Sequence, residues 1–195
     1  MRPLLLALFF ASGVSALVYE VVWIRILSLT LSITVYALTT VLCAFMAGLA
    51  VGAGLGSRIA DRVRHPLRAF GIAELGIAAS GLAVPALLFG LGPAYLWLHD
   101  ALGGDGPAFF AGRFLLAFAI LLVPATLMGV TLPLLSRAFV DRLDLVGNRA
   151  GLLYGINTLG AVVGCILAGF VFVPQLGLQT SSALAASLNL LVGFG

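Results

Sequence analysis

Between Pro3 and Ser57 the chain carries only two charged side chains, Glu20 and Arg25. A stretch this apolar cannot serve as the surface of a water-soluble domain, which needs roughly 25% charged residues. The rest of the sequence is no different, with 62% hydrophobic and 9% charged residues overall. Lipid must therefore solvate much of the molecule. The fold class this implies is all-α, a polytopic transmembrane helix bundle, with residues 1–195 as a single transmembrane domain. The apolar runs are continuous rather than alternating, which argues against a β-barrel.

Six apolar segments are predicted, at residues 3–24, 32–57, 68–91, 109–135, 150–173 and 181–195. The first begins like a signal peptide, with Arg2, an apolar run and Val14-Ser15-Ala16. The run continues through Trp23 and Ile24, long enough to cross a bilayer, so an uncleaved first helix is expected. The sixth segment stops at Gly195, short of the roughly 20 residues that a crossing needs. The sequence is therefore expected to be cut within that helix.

All ten basic residues are arginine. Arg2, Arg58, Arg62, Arg64, Arg68, Arg137, Arg142 and Arg149 fall at the N-terminus and in the 2–3 and 4–5 connections; only Arg25 and Arg113 fall on the other side. This asymmetry predicts a cytoplasmic N-terminus, in a bacterial inner membrane. The net charge of +3 thus reflects topology and not nucleic-acid binding. Tyr95 and Trp97 in the outer 3–4 connection suit a headgroup-level aromatic belt. The nearby "LGGDG" at residues 102–106 reads as a turn, since no strand precedes it as a nucleotide-binding loop would require. Cys43 and Cys165 lie in apolar spans without metal-site or disulfide spacing, so neither a metal nor another cofactor is expected.

Glycines mark the packing faces. Gly48, Gly52 and Gly56 recur four apart on the second segment, and Gly151/Gly155 and Gly160/Gly164 form two such pairs on the fifth. Glycines at this spacing let another helix approach to backbone contact. Beyond Gly56 come Asp61, Arg62 and Arg64. They resemble the signature loop between helices 2 and 3 of major facilitator transporters, in which Asp and Arg residues form a cytoplasmic ionic latch. The family's glycine between the two arginines is absent; Val63 stands there.

Intramembrane polar residues are the remaining candidates. At 1.5 Å per residue, Glu74 and Thr131 lie about 9 Å from the cytoplasmic boundary and Asn157 about 12 Å, a common level. Glu20 falls about 16 Å above Glu74 on this scale, which predicts that the two acids share no site. Tyr19, Trp23 and Arg25 around Glu20 favour an interfacial position. Glu20 and Arg25 are five apart, a poor spacing for an intrahelical ion pair. No nucleophile–base pair, carboxylate dyad or metal cluster supports catalysis by these residues alone.

Four stretches in order, "SGVSALVYEVVWIRIL", "GLAVGAGLGSRIADRVRHPLR", "GVTLPLLSR" and "GLLYGINTLGAVVGCILAGFVFVPQLG", resemble the membrane region of fused major-facilitator/spermidine-synthase-like proteins. The resemblance implies a bundle like half of a facilitator, joined in its relatives to a soluble aminopropyltransferase domain that these residues do not contain. It singles out Tyr19, Glu20, Trp23 and Arg25 in the first helix, Asp61, Arg62 and Arg64 in the loop, and Asn157 in the fifth helix. Polyamine transport or membrane anchoring is the implied role. Glu20, Glu74, Asn157 and Thr131 are then the substrate-binding candidates. The expected partners are the lipid bilayer, further membrane helices and a polyamine. The alternative is a non-catalytic structural subunit of a larger membrane complex, docked through its glycine faces.

Overall fold

The computed structural model of the chain describes residues 2–31, 33–139 and 146–195, and every regular element among them is helical. In order these are α1 (Arg2–Leu31), α2 (Thr34–Ala60), α3 (Pro66–Phe89), α4 (Gly92–Leu102), α5 (Pro107–Phe139), α6 (Val146–Leu167), a π-helical turn (Ala168–Phe172) and α7 (Val173–Phe194). Helix is the natural solution in lipid, because each backbone N–H and C=O is satisfied within its own segment. Hydroxyls do the same. Ser28 donates to the Ile24 carbonyl, Thr40 to Tyr36, Thr126 to Leu122 and Thr158 to Tyr154. These residues therefore sit in apolar spans without exposing a donor.

Five stretches are long and apolar enough to cross a membrane, the last running from Ala150 to Phe194. That last stretch is not one straight rod. Asn157 and Asn189 would lie about 48 Å apart on a continuous helix, yet both line one cavity. The chain reverses at Gly177, whose φ of 79° and ψ of 174° are non-helical. α6 then runs parallel to α1, with Gly160 against Phe10 and Gly164 against Val14. The end of α7 runs the other way, bringing Gly195 beside Leu8 and Gly193 beside Gly71. Among the described residues the bundle thus holds six long apolar segments, the last beginning at Leu178 where residue 181 is predicted.

Two features differ most from those predicted by sequence. α1 continues to Leu31 instead of stopping at residue 24. "ILSLTL" is apolar and holds no Gly or Pro, and the long exposed side chain of Arg25 lets the helix pass without burying its charge. The 3–4 connection contains a helix of its own, α4, ended by Gly103 in the left-handed region with its N–H on the His99 carbonyl. Gly103 and Gly104, at φ 75° and 111°, make the turn that follows. Within α4, Trp97 is exposed but Tyr95 is buried, so only one of the pair is available to a lipid-facing belt. Burial raises the Tyr95 phenol above its ordinary pKa, and Arg113 beside it opposes the rise.

Backbone approach organises the bundle. A Cβ on Gly48, Gly52 or Gly56 would strike Ala125, Thr126, Gly129 or Val130, so α2 lies directly on α5. Gly160 and Gly164 put α6 on α1 in the same way, and Gly71 and Gly193 put α7 on α3. Gly151 and Gly155 do not follow this pattern. Among the described residues nothing lies within 4 Å of a Cβ built on either, so the first glycine pair of this helix packs against no neighbour. Gly151→Leu is accordingly expected to change stability by no more than about 0.5 kcal/mol, as surface substitutions do. Thermal unfolding in detergent beside Gly160→Leu checks it, with the latter expected to melt far earlier.

Tyr19 and Trp23 belong to the core, not to an interface. They are 0% and 1% exposed, and their rings stack with centroids 5.5 Å apart. The Tyr19 ring lies against Gly81 of α3, where a Cβ would stand 2.5 Å from its Cζ. The interfacial reading rested on depth along α1 and on residue type; burial against α3 places both rings inside the bundle.

Candidate functional site

On α1, Ser12, Ala16 and Glu20 recur at intervals of four and therefore share one face. That face borders a cavity of about 300 Å³, closed further by Phe45, Met46 and Leu49 of α2, Met128 and Thr131 of α5, Tyr154 and Asn157 of α6, and Asn189 of α7. The helices that supply these groups are held at fixed rotation by the glycine contacts. Gly160 and Gly164 lock α6 to α1, which leaves Asn157 one turn earlier, beside Gly13. Asn157 Nδ2 donates to the Phe9 carbonyl at 3.1 Å. Thr131 Oγ1 donates to the Met128 carbonyl at 2.7 Å and is buried.

Glu74 lies behind the cavity wall, fully buried. Its two carboxylate oxygens are each held by a neutral donor. Ser12 Oγ donates to Oε1 at 2.6 Å and Asn189 Nδ2 to Oε2 at 2.6 Å. Three helices, α1, α3 and α7, meet at this one group. Ser12 is itself positioned by Ser15, whose hydroxyl donates to the Ser12 carbonyl at 2.8 Å. Asn189 is 1% exposed, and its Oδ1 has no hydrogen-bond partner among the described residues.

Glu20 is 6% exposed and accepts no hydrogen bond among the described residues. α1 extends eleven residues past it, to Leu31. Glu74 itself is not among the residues that line this cavity. Ser12 and Asn189, which hold Glu74, line the same cavity as Glu20. The vertical offset is real, since Ser12 and Glu20 are two turns apart, about 12 Å. The cavity extends along that length and joins the two levels.

Among the described residues no basic side chain lines this cavity. Arg25 is exposed and faces a separate groove with Val21, Ser28, Pro174 and Leu178, and no ion pair joins it to Glu20 among the described residues. Asp61 caps the C-terminal end of α2 and, like Arg62 and Arg64, is exposed. Arg142 lies outside the described residues, as does the connection from 140 to 145 in which a latch partner would be sought. No group of three or more His, Cys, Asp or Glu side chains that would hold a metal ion occurs among the described residues.

The structure thus brings Glu20, Thr131 and Asn157 onto one cavity and places Glu74 one hydrogen bond away. Sequence reasoning missed Ser12 and Asn189. Asn189 carried the same signal as Asn157, an amide inside an apolar run, but its segment looked incomplete. Ser12 had only its register with Glu20 to mark it.

The fold and the site define an all-α, multi-helix bundle of membrane-spanning composition with a buried acidic cavity. The chain is 31% identical, over a 195-residue alignment covering 98% of it, to polyamine aminopropyltransferase 2 of Streptomyces coelicolor. The match spans only 33% of that protein's length. No family model matches the chain, and no solved structure does.

Proposed function

We propose that this chain is a membrane module of a polyamine-handling protein and that its cavity binds protonated amines. The observation that carries the reading is Glu20, a carboxylate 6% exposed that accepts no hydrogen bond and lines a cavity without a basic side chain among the described residues. An uncompensated buried charge is costly, and an intramembrane acid marks a functional site by default. An elongated polycation offers the missing charge at Glu20 and reaches toward the Glu74 level along the same cavity. Asn189 Oδ1 and the Asn157 and Thr131 side chains accept from amines between them. The relative's name, polyamine aminopropyltransferase, points to the same ligand class.

Two roles fit this binding. In the first the module moves the polyamine, as a facilitator half does when two such halves rock around a midplane site. Met46 and Tyr154, at the cavity edge on α2 and α6, are 58% and 63% exposed, leaving that side open for a second half. In the second the module anchors an aminopropyltransferase domain in the membrane and holds polyamine near it. The arginine distribution supports a bacterial inner membrane with Arg2 on the cytoplasmic side. The structural-subunit reading has less behind it. Of the glycine faces that would dock a partner, those of Gly48, Gly52, Gly56, Gly160 and Gly164 are already covered by α5 and α1, and that of Gly151 and Gly155 alone stays open among the described residues.

Equilibrium binding of labelled spermidine to the purified protein tests the site, and flux into vesicles tests the role. Glu20→Gln is expected to weaken binding at least about tenfold, the loss of 1.4 kcal/mol of attraction. Full binding by a Glu20→Gln, Glu74→Gln double variant would remove the amine site. Normal binding without flux in the wild type would leave anchoring as the role.

A further inference from the structure

A second feature, independent of the acidic cavity, lies at the end of the bundle away from the α2–α3 connection. A groove of about 400 Å³ runs between the last turn of α1 and the first turns of α2 and α5. Leu31, Tyr36, Phe110 and Phe114 form its apolar walls, and Arg113 is its one charged side chain. Arg113 is held in place from two sides. One terminal nitrogen donates to the Thr30 carbonyl at 2.9 Å, and the guanidinium carbon stands 4.8 Å from the Tyr95 ring centre and 5.2 Å from that of Phe109. Its Nε is buried without a partner. No carboxylate lies within ion-pair distance of it among the described residues. The acids of this end, Asp100 and Asp105, stand by His99 instead, at 3.5 and 3.9 Å.

A guanidinium fixed in this way, with donors left over, is an unfilled half of an anion site. Its depth decides which anion. Arg113 is six residues into α5, about 9 Å along the helix, at the level where hydrocarbon gives way to headgroups. The walls above and below it are aliphatic and aromatic, suited to chains rather than to a hydrated ion. We propose that this groove binds one anionic phospholipid, its phosphodiester on Arg113 and an acyl chain along Leu31, Phe110 and Phe114. Arg is the residue for this contact, because its planar fork matches phosphate oxygens and it is more weakly hydrated than Lys. The aromatic contacts with Tyr95 and Phe109 keep the fork aimed.

Native mass spectrometry of the purified protein, with phosphatidylglycerol or phosphatidylcholine added to the detergent, tests this. The wild type is expected to retain one phosphatidylglycerol at detergent levels that strip phosphatidylcholine. Arg113→Gln is expected to lower that retention at least tenfold, while Arg25→Gln, in the other groove, keeps it. Thr39→Asp places a carboxylate at the exposed groove wall beside Arg113 and is expected to displace the lipid from a chain that still folds. Equal retention of the two lipids, equal loss in Arg25→Gln and Arg113→Gln, or undiminished retention in Thr39→Asp would overturn the site. Displacement by millimolar inorganic phosphate would overturn the lipid assignment, showing a small-anion site instead.

Discussion

Gly52→Leu is expected to destroy the folded bundle, with almost no monodisperse protein recovered in mild detergent. Gly52 faces Thr126 and Gly129 of α5 so closely that even a Cβ would stand 2.8 Å from the Gly129 Cα. The obstacle is backbone on both sides, so no side chain can rotate away. A leucine must push α2 from α5 along the whole Gly48–Gly52–Gly56 line, and the opposing Gly129 already gives the closest approach a helix allows. Ordinary overpacking costs about 1–3 kcal/mol, and forcing two helices apart exceeds that range. Fluorescence-detected size exclusion gives the readout, with Gly54→Leu as comparison because no atom lies within 4 Å of a Cβ there. A wild-type profile and melting temperature for Gly52→Leu would mean that α2 and α5 do not meet as described.

The second large effect is expected at Asn189. Asn189→Ala removes the donor to Glu74 Oε2 and leaves that oxygen buried without a partner, costing about 1–3 kcal/mol. Asn189→Asp is expected to be worse, because it puts a second carboxylate where the amide stood, 2.6 Å from the first. Combining either with Glu74→Gln separates the terms. Glu74→Gln should relieve much of the Asn189→Asp defect, since the remaining acid then meets an amide. A double-variant cycle in unfolding free energy reads the coupling, expected within about 0.5–3 kcal/mol for groups in direct contact. Strict additivity would show that the two side chains are not hydrogen-bonded.

Much of the fold was legible because lipid-spanning segments announce themselves by length and apolarity alone. α2 and α3 fell within a few residues of their predicted bounds for that reason. The end of α1 did not, because Arg25 was read as a boundary when its exposed chain lets the helix continue. The hairpin at Gly177 was invisible as a conformation: a glycine between Leu176 and Leu178 says nothing by itself about φ. Its place was nevertheless legible, as the connection between the segments predicted at 150–173 and 181–195.

The site was half legible. Glu20, Glu74, Thr131 and Asn157 stood out as polar residues in apolar spans, and depth counting set three of them at one level. Which of them face each other depends on helix rotation, and rotation is set by pairs such as Gly160 with Phe10 and Gly71 with Gly193. Nothing local to Glu74 could reveal Ser12 and Asn189 as its partners, because they lie 62 and 115 residues away. Tyr19 and Trp23 were misplaced for a related reason. Aromatics suit both a core and a membrane boundary, and the contact with Gly81 on α3, 62 residues from Tyr19, is what buries them.

The reversal at Gly177 also sets a parity. With it, the number of crossings is even, and the last residues of α7 return to the first turns of α1, where Gly195 meets Leu8. A reporter fused after Gly195 and one inserted beside Arg64 would therefore sound from the same compartment. Were the 150–194 stretch a single crossing, the two reporters would disagree, so one pair of fusions reads the geometry of a single glycine.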